Sequence, residues 1–295
     1  MIEHIHLNEL TECQRLFHGR GHAYPNLSHV NVDWFAPVIL ITLYKEVEDT
    51  WLAEQCAALH QLIPSARSIQ VQRRYLKFAP SETLLGEEIE HTSVVEHGLN
   101  YHIELGKTQN TGLFLDMSNG RKWVQEHASN KNVLNLFSYT CAFSVAAIAG
   151  GAKQVINVDL SKASLAKGRE NHRLNAQDTR AVKFEGVDIF KSYGRLKKYG
   201  PYDLLICDPP SFQKGSVNIE RDYSKILRRI PQLVKAGGQL MLCLNSPDLD
   251  ENFLFTQIAT ECPECEFETK IKPAEVFKEA HQGKGLKVLI FTYKP

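Results

Sequence analysis

From about residue 130 to residue 244 the chain alternates short, β-rich apolar runs with helix-period patterns. The runs are Val133-Leu134-Asn135-Leu136-Phe137, Val155-Ile156-Asn157-Val158-Asp159, Val182-Lys183-Phe184-Glu185, Leu204–Cys207 and Gly238–Leu244. Between them lie helical stretches over Phe143–Ala149, through Leu165, Arg169 and Leu174, and through Tyr223, Ile226, Leu227 and Ile230. Strands alternating with helices predict an α/β fold with a mostly parallel, doubly wound sheet. Ligands of such sheets sit beyond the carboxyl ends of the strands.

Before residue 105 the pattern changes. Pro37–Tyr44 and Ser68–Arg73 read as strands, with an amphipathic helix between them that Asp49 is expected to cap and that runs through Trp51, Leu52, Gln55, Leu59 and Leu62. Val94–Ile103 reads as a hairpin turning around Gly98-Leu99-Asn100. Residues 11–36 carry no periodic signal and are expected to be irregular. The chain therefore divides into a small N-terminal α+β domain over 1–105 and a larger α/β domain over 106–295.

A 295-residue chain that is 43% apolar can bury a large and a small core. It has no apolar run long enough to span a bilayer and no secretory pattern at Met1-Ile2-Glu3-His4, so a cytoplasmic location away from membranes is expected. Cys56, Cys141, Cys207 and Cys243 are embedded in apolar runs, as suits reduced, buried thiols. Cys262-Pro263-Glu264-Cys265 is a C-x-x-C without the second pair of a zinc ribbon, so no metal is expected. Residues 1–105 hold 7 basic against 14 acidic side chains, and residues 106–295 hold 27 against 20. A phosphate-rich partner would therefore meet the C-terminal part, through Lys191, Arg195, Lys197, Lys198, Lys214, Arg221, Arg228 and Arg229.

The chemistry gathers at strand ends. Tyr202–Cys207 runs into Asp208-Pro209-Pro210-Ser211-Phe212. The prolines hold the backbone extended, which fixes a carboxylate beside a ring able to stack on a planar base. The turn after the first strand, Phe137-Ser138-Tyr139-Thr140-Cys141-Ala142-Phe143, contains no glycine. A dinucleotide site wants G-x-G-x-x-G there for close approach to a pyrophosphate, whereas a cofactor without phosphate can use a Ser/Thr turn. Asp159 ends the second strand, where a carboxylate can meet a ribose, and Asp188 the third, where it can accept from an adenine amine. Taken singly, either could instead be a helix N-cap.

Leu134–Thr140, Gly150-Gly151-Ala152, Val158-Asp159-Leu160-Ser161 and Asn171 with Asn175 resemble the bacterial class I ribosomal RNA methyltransferases of the large subunit. That family includes cytosine-5 and guanine-N7 enzymes. Upstream, Gln109–Met117 with Arg121 is similar to its pre-core motif, and Arg221-Asp222-Tyr223 to a motif after the Asp-Pro-Pro. The resemblance covers roughly residues 70–295, and no PUA domain is evident. It implies a Rossmann-like methyltransferase sheet, S-adenosylmethionine as cofactor with S-adenosylhomocysteine as product, no metal, and ribosomal RNA as partner. It further implies that Phe137, Ser138, Tyr139 and Thr140 shape the methionine end of the pocket. Asp159, with Leu160 beside it, takes the ribose, Asp188 and Ile189 take the adenine, Thr111 and Arg121 help close the site, and Asp208 lies beside the methyl group.

Two departures from the family pattern matter. Cys141 and Ala142 stand where the family often has glycine. Asn245, in Cys243-Leu244-Asn245-Ser246-Pro247, stands where cytosine-5 members carry a nucleophilic cysteine. Cytosine C5 needs a thiolate added at C6, and Cys243, two residues earlier, reads as a core cysteine. The expected target is therefore a guanine nitrogen, aligned by Asp208 and Asn245 with Phe212 stacking on the base. Three alternatives stay open: cytosine-5 transfer using Cys243, methylation of a small molecule or protein, and a non-catalytic binding relic of the fold. The oligomeric state is also open, a homodimer included.

Overall fold

The computed structural model describes residues 1–7, 9–106, 108–210, 212–213 and 217–295, with Phe212 and Gln213 described by their backbone alone. The chain forms two compact units. The first is Met1–Asp116 joined by Ala274–Gln282, and the second is Met117–Pro273 with Gly283–Pro295. A boundary drawn between 105 and 106 leaves out the late segment, which belongs with the first unit.

The first unit is built on a sheet of order β1-β2-β3-β4-β5. Its strands are β1 (Gln14–His18), β2 (Val30–Phe35), β3 (Val38–Leu43), β4 (Ser68–Arg73) and β5 (Ser81–Gly86). The region expected to be irregular thus holds two strands. Every residue of β2 is buried, including Asn31 and Asp33, and Asp33 is neutralised by Arg15 from β1. Buried polar residues erased the alternation that would have marked the strand. Helix α1 (Asp49–Leu62) buries Leu52, Cys56 and Leu59. Its N-cap is Glu48 without a side-chain bond, so Asp49 is its first residue and not its cap. Strands β6 (His91–Glu96) and β7 (Leu99–Glu104) form a hairpin. Its turn falls at His97 and Gly98, both with positive φ, one residue earlier than the pattern suggested. The late segment lies against the end of β1 and the 3-10 turn Gly19–Gly21 that follows it: Ala280 N donates to Gly21 O at 2.7 Å, and the Phe277 ring sits 5.2 Å from that of His18.

The second unit is the doubly wound sheet the pattern predicts. Its strands are β8 (Asn132–Leu136), β9 (Gln154–Asp159), β10 (Val182–Gly186), β11 (Tyr202–Cys207), β14 (Val234–Leu244), β15 (Cys265–Ile271) and β16 (Lys287–Tyr293), in the order β10-β9-β8-β11-β14-β16-β15. The short β12 (Phe212–Gln213) and β13 (Val217–Asn218) form a separate ribbon. Strands β10, β9, β8, β11 and β14 are parallel, and β16 and β15 add an antiparallel edge. Helices α5 (Tyr193–Lys197), α6 (Ile219–Leu227), α7 (Ile230–Leu233) and α8 (Glu251–Glu261) supply side chains to the core on one face. Helices α2 (Ser118–His127) and α3 (Ala142–Ala149) do so on the other, with α4 (Lys162–Leu174) beside α3.

A buried hydrogen-bond chain crosses from β8 to α4. Asn135 Nδ2 donates to Asn157 Oδ1 at 2.8 Å, and Asn157 Nδ2 to Ser144 Oγ at 2.9 Å. Ser144 Oγ lies 2.9 Å from His172 Nε2, His172 Nδ1 lies 2.6 Å from Gln177 Oε1, and Gln177 Nε2 donates to Val145 O at 2.9 Å. Burial pulls the His172 imidazole down to about 4. Cys262 and Cys265 are free thiols with sulfurs 3.5 Å apart, and the described residues hold no group of three metal-ligating side chains.

Candidate active site

The carboxyl ends of β8, β9, β10, β11 and β14 carry most of the residues singled out from the sequence. After β8, Phe137, Tyr139 and Cys141 take left-handed backbone at φ 57°, 46° and 60°. A glycine-free turn therefore does what glycine usually does, at a conformational cost that its surroundings must meet. They do so through specific bonds. Ser138 N donates to Val158 O at 3.1 Å, Tyr139 N to Asp159 Oδ2 at 2.9 Å, and Asn171 Nδ2 from α4 to Thr140 O at 3.0 Å. Ser138 and Thr140 are buried, whereas Phe137 and Tyr139 are half-buried. Cys141 is fully buried, and burial pushes its thiol up to about 12, so it is a packing group and not a nucleophile at neutral pH.

Asp159 is not a helix cap. Ser161 caps α4 by accepting from Ser164 N at 3.1 Å. The Asp159 carboxylate instead takes Tyr139 N on one oxygen and Ser161 N, at 2.8 Å, on the other. Two amide bonds fix its plane and leave further acceptor capacity on both oxygens. Leu160 beside it is 51% exposed, a large apolar side chain left open at a strand end. Asp188 does cap: its Oδ1 accepts Phe190 N at 2.9 Å in the turn after β10, and Lys191 Nζ lies 3.6 Å from its other oxygen. Ile189 is buried, and the Phe137 and Phe190 rings pack at 6.4 Å, joining the turn after β8 to that after β10.

On the other side of β8, Asp208 is half-buried at the end of β11, directly above the buried Cys207. The Asn245 side chain is exposed just past β14, the strand paired with β11. Cys243 is fully buried among the apolar residues of the second face, including Ile206 and Met241, and its carbonyl accepts Tyr223 OH at 3.1 Å. Of Phe212, only the backbone is described, paired with Asn218, and the role of its ring falls outside the described residues, as do Ser211 and Lys214.

Arg121 in α2 is 3% exposed, so it is not a solvated helix-face arginine. Thr111 belongs to the first unit, where its Oγ1 donates to Leu113 O at 3.3 Å and its carbonyl accepts Glu104 N at 2.9 Å. Four of the proposed phosphate contacts already serve carboxylates: Lys191 with Asp188, Arg195 with Glu185, Arg221 with Asp222 and Arg228 with Glu261. Arg221 chiefly, against the effect of burial and with help from Lys225 and Asn218 N, holds Asp222 far below the usual carboxylate range.

Lys287 went unnoticed in the sequence. It opens β16, is 1% exposed, and its ammonium donates to Ser246 O in the turn that carries Asn245. Its signal was a charged residue inside the apolar run Leu286–Phe291. A cavity of about 380 Å³ lies elsewhere, along the edge strand β10, lined by Arg169, Arg173, Lys183, Phe184, Glu185 and Tyr199.

Residues 14–292 match the family described as S-adenosylmethionine-dependent methyltransferase. Ribosomal RNA large subunit methyltransferase K of Neisseria meningitidis serogroup B is 34% identical over 211 residues, spanning 68% of this chain and 59% of that protein. Ribosomal RNA large subunit methyltransferase I of Erwinia tasmaniensis is 29% identical over 245 residues, spanning 80% of this chain and 61% of that protein. The chain thus spans about three fifths of the length of these curated relatives. The crystal structure of SMU.776 complexed with SAH superposes with a TM-score of 0.87 at 28% identity, over 97% of this chain and 76% of that one.

Proposed function

The chain belongs to the S-adenosylmethionine-dependent methyltransferase family, and from that membership we propose that it methylates a base of large-subunit ribosomal RNA, with a guanine nitrogen as the favoured target. The observation that carries the cofactor half is the Asp159 carboxylate, fixed by Tyr139 N and Ser161 N beside exposed Leu160. An oriented acceptor next to an open apolar side chain suits a ribose diol carrying a purine. The left-handed turn at Phe137–Cys141 suits a ligand with no pyrophosphate to cradle. Asp188 and Ile189 would bound the adenine, and Ser138, Tyr139, Thr140 and buried Arg121 the amino-acid end. When bound, S-adenosylmethionine supplies an electrophilic methyl group on a sulfonium.

The chain's own residues then have to present a lone pair to that methyl. Asp208 and Asn245 stand at the ends of paired strands, where a carboxylate and an amide can accept from and donate to a base edge and hold it in line. Where the target is N1 or the exocyclic amine, Asp208 can also accept the proton released as the methyl bond forms; N7 carries no proton to release. Catalysis of this kind rests on alignment and exclusion of water, without a covalent enzyme intermediate. The full burial of Cys243 in the apolar core favours this reading over thiolate addition to cytosine. The relatives named for ribosomal RNA support the substrate class.

Asp208→Ala is expected to abolish transfer while S-adenosylmethionine affinity, read by calorimetry, stays within about tenfold, or about 1.4 kcal/mol. A larger loss of affinity would assign Asp208 to the cofactor. Cys243→Ala is expected to keep product formation. Absence of S-adenosylmethionine binding by the folded wild-type chain would overturn the enzyme reading. Mass mapping of ribosomal RNA from cells lacking the protein identifies the nucleotide, and an unchanged map would remove the substrate.

A further inference from the structure

The first unit is acidic overall, yet one end of its sheet gathers a cluster of cations around an exposed ring. Strands β1, β3 and β4 all end there, since β1 and β3 each run antiparallel to β2, and β3 runs parallel to β4. Tyr44 follows β3, and two guanidinium groups lie over its ring, that of Arg20 at 4.5 Å from the centroid and that of Arg74 at 5.8 Å. Arg74 spends its bonds on neutral acceptors: Gln72 Oε1 at 2.9 Å, Asn110 Oδ1 at 3.3 Å and Gln109 O. None of these acceptors is a carboxylate, although Arg74 also acts at longer range on the buried Asp33. The late segment brings Lys278 to the same end, its carbonyl packed against Gly21.

Next to Arg74 the chain turns between β4 and β5. The turn is held by Arg74 N to Leu43 O at 2.8 Å, Leu76 N to Arg73 O at 3.2 Å, Ala79 N to Leu76 O at 3.1 Å and Arg73 N to Pro80 O at 2.8 Å. At its tip Phe78 takes left-handed backbone (φ 68°) and is 85% exposed, with Lys77 Nζ 4.8 Å from its ring centroid. A bulky aromatic in the left-handed region costs free energy, and this one recovers none of it by burial. At this end Glu82 pairs with Arg73 and Glu279 lies 3.5 Å from His18, while the exposed Glu46, Glu48 and Asp49 after Tyr44 form no ion pair among the described residues and leave the cations around Arg74 and Phe78 as a local cluster on a mixed surface. Among the described residues none of Arg20, Arg74, Lys77 and Lys278 forms an ion pair with a carboxylate.

We infer that this end of the first unit is a docking platform for single-stranded RNA, with Phe78 stacking on an unpaired base while Arg20, Arg74, Lys77 and Lys278 meet the flanking phosphates. An exposed ring beside cations that pair with no carboxylate is the combination that binds single strands without reading sequence. The acidic remainder of the unit repels both RNA and anionic membrane, which confines contact to this end. The platform rests on the RNA reading of the proposed function and deepens it by naming a substrate contact carried by the first unit, in addition to the residues at the strand ends of the second.

The test is fluorescence anisotropy of the full chain with a labelled single-stranded RNA oligonucleotide of mixed sequence, run over a salt series, with S-adenosylmethionine calorimetry on each variant. Phe78→Ala is expected to weaken RNA binding about tenfold, and Phe78→Trp to preserve it. Lys77→Ala is expected to flatten the slope of log affinity against log salt by about 0.7. S-adenosylmethionine affinity should be unchanged throughout. Wild-type RNA affinity in Phe78→Ala, with cofactor binding intact, overturns the platform and leaves the RNA reading standing. Failure of the wild-type chain to bind RNA overturns that reading and the platform together. So does sedimentation with phosphatidylglycerol vesicles in place of RNA, which would assign the tip to a lipid surface.

Discussion

At Gly168 a side chain has nowhere to go: a Cβ there would sit 2.4 Å from Cys141 Sγ and 2.8 Å from Cys141 Cβ. This glycine lets α4 approach the left-handed turn after β8, and the two positions are one packing decision. Gly168→Ala is expected to destabilise the protein by about 1–3 kcal/mol in urea unfolding. In a Cys141→Gly background the same substitution should cost much less, because the obstructing atoms are gone and glycine suits φ 60°. Equal costs in the two backgrounds would show that the contact does not matter. Lys287 gives the matching case at the turn that carries Asn245. Lys287→Met keeps the stem but removes the donor to Ser246 O, so the turn bearing Asn245 loses its anchor. Turnover is expected to fall about tenfold or more, in line with a lost charged hydrogen bond, with calorimetric S-adenosylmethionine affinity unchanged.

At the scale of elements, what was legible depended on whether a strand obeyed its period. Strands β8, β9, β11 and the later part of β14 were readable because parallel strands buried on both faces are near-continuous apolar runs, and the edge strand β10 because Val182 and Phe184 alternate with Lys183 and Glu185. Their ends pointed to Asp159, Asp188 and Asp208 before any geometry was available. Strand β2 was hidden because Asn31 and Asp33 lie inside it, and Asp33 is tolerable there only with Arg15 from β1. Strand β15 was hidden for the opposite reason: most of Cys265–Ile271 is exposed, so it has little apolar signal to read. The left-handed turn at Phe137, Tyr139 and Cys141 was not legible either. Propensity assigns such backbone to glycine, and only the bonds from Asp159 and Asn171 explain how other residues hold it.

For the molecule as a whole, two buried imidazoles contribute to the loss of stability on the acid side. Burial lowers His172 to about 4 and, with Arg15 and Arg20 adding to it, lowers His18 to about 3. Both are neutral in the folded chain near pH 7. The unfolded chain takes up protons on them as pH falls through about 6.5, while the folded chain does not. Stability should therefore be full above that value and decline as pH falls toward 4, by at most about 1.4 kcal/mol per pH unit for each histidine. Urea midpoints between pH 7 and pH 5 should show the decline, and His172→Gln should make it shallower. An equal slope in that variant would mean that His172 is not responsible. Whole-chain charge was a poorer guide. The acidic balance of residues 1–105 pointed away from nucleic acid, although the unpaired cations Arg20, Arg74 and Lys77 gather at one end of that unit.

The buried chain from Asn135 to Gln177 has a sense of direction. Each amide at its ends donates forward, from Asn135 through Asn157 to Ser144 and from Gln177 to Val145 O. Only one arrangement satisfies the links between: the Ser144 hydroxyl gives its proton to His172 Nε2, and His172 Nδ1 gives its own to Gln177 Oε1. No member can turn round alone without leaving two donors or two acceptors face to face. The imidazole is thereby a fixed pointer, and its two ring nitrogens should give well-separated resonances that stay put until the central strand itself is disturbed.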